Sequence, residues 1–174
     1  MSRRPVLAAA AAVALASWLA CVQPEPRAPA MRVEQIELPV RHDVAVELQV
    51  AGGWKFPNQS STNDFELAVR ESLERTRLFR ELTSAARADY RLDVLLGDER
   101  TPVAGTTFSV DMHVLWSVSR IDTQETVWQQ LVASEATATV GDAFNAQNRA
   151  RVATERAAKR NIERALVALA GAPL

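Results

Sequence analysis

Few side chains in this sequence are suited to chemistry, and their spacing decides what they can do. Cys21 is the single cysteine, and His42 and His113 are the only histidines, among 174 residues. One cysteine has no intrachain disulfide partner, and with two histidines it falls short of the four ligands of a structural zinc site. Asp111 and His113 stand two apart in an alternating stretch. On a strand they share a face, where a hydrogen-bonded pair is conceivable. With no serine or second carboxylate placed beside them, they read as two polar residues facing solvent. The sequence has no G-x-S-x-G elbow, no phosphate-cradling glycine loop and no H-E-x-x-H pair. It therefore predicts no catalytic residue, no metal site and no cofactor, and a protein that is not an enzyme.

That leaves the thiol of Cys21, whose setting is specific. The chain opens "MSRRPVLAAAAAVALASWLACVQPEP". Arg3 and Arg4 give a short basic start, and Val6 to Ala20 carries no charge. This run is shorter than the about 20 residues of a permanent membrane helix, and its length and flanks suit a secretory signal. Leu19-Ala20-Cys21 resembles the lipobox of bacterial lipoproteins, in which a small residue precedes a cysteine that is acylated and becomes the new N-terminus. Trp18 stands where that motif usually has leucine. An ordinary secretory signal cut near Ala20, or at Ala30 after "APA", is the alternative, as is a buried cysteine in an N-terminal helix. The resemblance makes residues 1–20 a lipoprotein signal peptide and Cys21 the lipidation site. At about 0.8 kcal/mol per buried methylene, two or three acyl chains hold a protein on a membrane essentially permanently. Val22 follows the cysteine where the inner-membrane retention signal of enteric bacteria has aspartate. The expected address is the periplasmic face of the outer membrane, with a soluble periplasmic protein as the alternative.

The elements that would carry any other function begin after a tether. Residues 21–31, with Pro24, Pro26 and Pro29, read as an extended lead off the membrane. Residues 32–171 are of single-domain length. Loss of residues 1–20 leaves 18 basic against 21 acidic residues, a net charge near −3, which argues against a nucleic-acid partner. Val44, Val46, Leu48 and Val50 alternate with polar or small residues and predict a half-buried strand. Pro39 demotes the segment before it to an edge or a lead-in. Asn63 and Glu66 form a capping-box pattern ahead of a helix over 64–77. "LFRELT" reads as a short strand and "SAARAD" as a turn.

Three longer strands follow. Tyr90, Leu92, Val94 and Leu96 share one face, as do Phe108, Val110, Met112, Val114, Trp116 and Val118. Trp128 and Val132 share a face of the third, which the short polar turn "RIDTQET" joins to the second as an antiparallel hairpin. Residues 143–170 read as a closing helix with Ala158, Ile162, Ala165, Leu166 and Leu169 in one stripe. The fold class is α+β, in the order β-α-β-β-β-α, with an antiparallel sheet and two helices packed on one face.

Two stretches read as binding surface. Gly52 and Gly53 precede Trp54, Lys55 and Phe56 in a loop, and exposed aromatics beside glycines suit a partner-binding site. The alternative is that both rings pack under the loop. Asn148, Arg151, Glu155 and Arg156, in the first half of the closing helix, read as a solvated charged face or as a docking surface.

The stretches "FELAVRESLERTRLF", "ADYRLDVLL", "FSVDMHVLWSVSRIDTQETVW" and "RAAKRNIERAL" resemble the α/β domain of TolB-like and transport-auxiliary lipoproteins of Gram-negative bacteria. The element order also resembles that of the lipopolysaccharide-assembly lipoprotein. One turn departs from the pattern, because Asp122-Thr123-Gln124-Glu125 lacks the usual Thr-Gly. The resemblance implies a non-enzymatic, membrane-anchored accessory subunit of an envelope assembly or transport complex, with an envelope protein as partner. A lipid- or small-ligand-binding lipoprotein, with its ligand between sheet and helices, is the rival expectation.

Overall fold

In a computed structural model, which describes residues 25–52, 60–97, 103–104 and 106–174, the alternating stretches are strands. The order is α1 (Ala28–Met31), β1 (His42–Gly52), α2 (Ser60–Thr76), β2 (Phe79–Leu82), β3 (Tyr90–Leu96), β4 (Val103–Ala104), β5 (Thr107–Arg120), β6 (Thr126–Ala138) and α3 (Ala146–Ala170). The α+β class holds. The strand order among the described residues is β2-β1-β3-β5-β4, with β6 on the other side of β5.

The sheet is mixed, which corrects the expected all-antiparallel arrangement. β3, β5 and β6 pair antiparallel, whereas β1 is parallel to both β2 and β3. α2 returns the chain to the starting end of β1, so β2 pairs in the same direction, with Phe79 beside His42. β2 reaches Leu82 level with Val46 on one side of β1, and β3 starts at Tyr90 level with Val46 on the other. The chain thus changes sides without reversing, and residues 83–89, with a 3-10 turn at Ala85–Arg87, suffice. Parallel neighbours ordinarily need about a dozen residues or more to come back to the same end. The stagger removes that return. Thr83 N and Asp89 N donate to the carbonyls of Val46 and Ala45, both at 2.9 Å, and pin the crossing.

Several boundaries also move. Ala28–Met31, expected within an extended tether, is a helical turn whose Ala28 and Met31 are buried. The Asp64 carboxylate accepts from Ala28 N at 3.1 Å, and Glu155 accepts from Arg27 N at 3.1 Å. The domain therefore starts near Arg27 rather than at residue 32, and at the other end Ala172 and Leu174 still pack on the core. α2 begins at Ser60, so Asn63 lies inside the helix rather than capping it. α3 begins at Ala146 behind an Asn145 cap that accepts from Asn148 N at 2.7 Å.

Both long helices cover one face of the sheet. The six alternate residues of β5 from Phe108 to Val118 are buried there, as are Tyr90, Leu92, Val94 and Leu96. Trp116 is 0% exposed, and its indole N–H donates to Asn161 Oδ1 at 3.1 Å. Asn161 Nδ2 donates to the Val132 carbonyl at 2.8 Å, and Ser134 Oγ donates to the Ala157 carbonyl at 2.9 Å. Small Ala153, Ala157, Ala158 and Ala165 let α3 lie close on β5 and β6. At the β5–β6 turn Gln124 takes φ +57°, a conformation that favours glycine. Its side chain compensates locally by donating to the Ile121 carbonyl at 2.7 Å.

Candidate interaction surface

Cys21 and the loop residues Trp54, Lys55 and Phe56 lie outside the described residues. Asp111 and His113 are on the sheet face that no described helix covers, where the register sets Asp111 opposite Glu135 and His113 opposite Ala133. A second carboxylate therefore does stand beside Asp111, contributed by a strand that spacing within β5 could not reveal. Among the described residues no group of three or more His, Cys, Asp and Glu side chains is placed to hold a metal.

The charged residues of α3 are largely engaged inside the fold. Glu155 is buried and accepts from both Arg27 N and Arg151, the latter at 2.8 Å. Arg156 pairs with Asp142 at 2.5 Å and donates to the Thr137 carbonyl at 3.0 Å. The bond from Arg156 holds the Asp142 carboxyl well below the usual carboxylate range. These residues tie α1, the β6–α3 loop and α3 together.

The uncovered face carries a feature that the sequence reading missed. Ala51, Leu95, Leu115 and Leu131 are register partners across β1, β3, β5 and β6. Residues opposite each other in neighbouring strands point to the same side, so these form one apolar row. Leu95 is 47% and Leu131 61% exposed. The next rows toward the hairpin end are polar, running Gln49–Asp93–Ser117–Gln129 and Glu47–Arg91–Ser119. Arg91 bonds Glu47 at 2.9 Å and holds its carboxyl below the usual range, while partial burial pushes Asp93 up. A leucine row flanked by polar rows on the hairpin side can bury against a protein surface. The signal available in the sequence was Leu115, the one large aliphatic at an outward position of β5.

The long edge of the sheet is β6, and α3 covers its second half. Arg156, Arg160 and Arg164 donate to the carbonyls of Thr137, Glu135 and Ala133 at 3.0, 2.6 and 2.6 Å. Residues four apart on a helix are about 6 Å apart, and residues two apart on a strand about 6.6 Å. An antiparallel helix and strand can therefore keep step over three arginines. Each guanidinium takes a carbonyl that a further strand would otherwise use.

No family model and no curated protein matches the sequence. Solved structures match the fold. A Xanthomonas campestris protein of the DUF330 family superposes with a TM-score of 0.61 at 11% identity, over 83% of this chain and 91% of that one. A candidate lipoprotein from Caulobacter crescentus gives 0.52 at 17% identity, over 72% and 87%. The PelC dodecamer from Paraburkholderia phytofirmans gives 0.50 at 13% identity, over 76% and 92%. The fold is thus one that a candidate lipoprotein shares. At such identities the likeness concerns the fold alone, and it extends over most of each relative's length.

Proposed function

We propose that the chain is a non-enzymatic lipoprotein of the cell envelope, anchored through Cys21, that serves as an accessory subunit of an envelope assembly or transport complex. The observation that carries this reading is the junction of two features. Leu19-Ala20-Cys21 ends an uncharged run, and a fold shared with a lipoprotein-like class begins only six residues later, at Arg27. The packing of α1 supports cleavage before Cys21 over cleavage at Ala30, which would cut inside α1 and discard the buried Ala28. One fold relative is described as a dodecamer, a precedent for assembly by repetition of this fold. The leucine row offers a partner an apolar strip, and the resemblance to transport-auxiliary and TolB-like lipoproteins points the same way. The rival reading places a lipid between sheet and helices, where Trp116, Phe65, Ile162 and Leu166 already sit with 0% exposure.

Intact-mass spectrometry of the mature protein is expected to show acyl chains on Cys21, and Cys21→Ser to leave the protein unprocessed or soluble. An unmodified Cys21 overturns the anchor, and fractionation with the inner membrane overturns the outer-membrane address implied by Val22. The loop at Trp54, Lys55 and Phe56 remains our proposed partner contact. Trp54→Ala/Phe56→Ala is expected to reduce recovery of the envelope complex from detergent extracts while leaving the urea midpoint nearly unchanged. Aromatic anchors often contribute about 2 kcal/mol or more to an interface. Unchanged recovery, or a large loss of stability, removes the loop as the site.

A further inference from the structure

Phe144 is 93% exposed, a position that gives its ring almost no share in the core. The loop that carries it is nevertheless held from both sides. Asp142 accepts from Thr139 N at 2.8 Å and from Arg156 at 2.5 Å. Arg149, itself buried, donates to the carbonyls of Ala143 and Phe144 at 3.1 and 2.6 Å, and its guanidinium lies 5.7 Å from the Phe108 ring centroid. Asn145 then caps α3. Val140, in the same loop, is 45% exposed. A fixed loop displaying an aromatic ring loses little conformational freedom when that ring is buried elsewhere.

We propose that Phe144 seats in the bilayer surface to which Cys21 ties the chain, so that the amino end of α3 faces the membrane. This inference rests on the reading of Cys21 as acylated. The tether selects a bilayer over a protein. Arg27 N is bonded to Glu155, which follows Phe144 by eleven residues. Along a helix that separation is about 16 Å. Arg27 lies six positions after Cys21, and an extended chain over that span reaches about 20 Å. An acylated Cys21 can therefore lie level with Phe144 if the tether runs beside α3 toward its amino end. Asp142, beside Phe144, and Glu155, on the first half of α3, are each bonded to an arginine, which lowers their repulsion from anionic headgroups. Phenylalanine and valine side chains gain from transfer out of water, and an anchor already within reach makes that transfer intramolecular.

The test uses the full lipidated chain in vesicles of phosphatidylethanolamine and phosphatidylglycerol with brominated acyl chains. Phe144→Trp is compared with Val167→Trp, a control 49% exposed near the far end of α3. Flotation first shows whether the chain is on the vesicle. The expected result is that the emission added at 144 is blue-shifted and largely lost to bromine, while that added at 167 is not. Phe144→Ala is expected to leave the urea midpoint unchanged, which separates membrane seating from a part in the fold; a clear drop would overturn the inference. A chain that floats with unquenched emission at 144, or with equal quenching at both positions, overturns it while leaving the anchor intact. So does a blue shift that needs envelope extract and shows no bromine quenching, the mark of a protein partner. A chain that fails to float removes the Cys21 reading and this inference with it.

Discussion

Trp116→Ala is expected to lower the stability of the domain more than any other single change considered for this protein. The indole is 0% exposed between β5 and the helices, and it donates to Asn161, which is itself fully buried. Removing the ring leaves a cavity, and such truncations cost about 3–5 kcal/mol. It also leaves Asn161 Oδ1 without that donor, which costs a further ~1–3 kcal/mol when no water can replace it. Set against a total stability of about 5–15 kcal/mol, the variant is expected to be largely unfolded or close to it. Trp116→Phe keeps most of the volume but loses the hydrogen bond and one ring of the indole, so its cost should be smaller, about 1–3 kcal/mol. Urea unfolding followed by far-ultraviolet circular dichroism measures both. Equal midpoints for Trp116→Ala and the unsubstituted chain would contradict the core described above.

Joint replacement of Arg156, Arg160 and Arg164 by alanine is expected to produce concentration-dependent association beyond any shown by the unsubstituted chain. The change uncovers the carbonyls of Thr137, Glu135 and Ala133 along a thirteen-residue strand. An exposed strand edge is a template for pairing with another chain. Replacing the same three residues by lysine keeps charge along the edge and should restrain association, because lysine at an edge opposes pairing even without a fixed hydrogen bond. Light scattering over a concentration series reads the result, and amide-I infrared absorption tells strand pairing from loose aggregation. Unchanged mass for the alanine variant would mean that the arginines do not guard this edge. Arg156 also anchors the Phe144 loop through Asp142, so Arg160→Ala/Arg164→Ala serves as the version that leaves the loop alone.

The two outcomes draw on different amounts of sequence information. The burial of Trp116 follows from alternation, since a residue two positions from Val114 and four from Met112 must face the same way. Its partner Asn161 was not legible, because it lies forty-five residues away and within an alanine-rich helix offers no pattern of its own. The arginines at 156, 160 and 164 were visible at a spacing of four, but that spacing fits a solvated helix face equally well. Only α3 lying antiparallel along β6 turns them into partners of successive carbonyls. The leucine row has the same origin. Leu95, Leu115 and Leu131 lie on three separate strands of the sequence, and register alone brings them together.

By itself the sequence determined what local physics decides. Alternation fixed β1, β3 and β5 and the face each one buries, the three-to-four-residue stripe fixed α3, and the polar turn fixed the β5–β6 hairpin. The uncharged run before Cys21 defined the expectation of an anchor. The mixed sheet, the early start of the fold at Arg27 and the arginine-capped half of the β6 edge were decided by tertiary structure. Strand direction around β1 depends on the stagger of β2 and β3 about Val46, and a stagger is a relation between segments that leaves no mark on either one. The turn Ala28–Met31 reads as a tether from its prolines. It joins the core because Asp64 and Glu155, far along the chain, bind the amide hydrogens at its start, and because burying Ala28 and Met31 against α2 and α3 removes apolar surface from water that a free tether would expose.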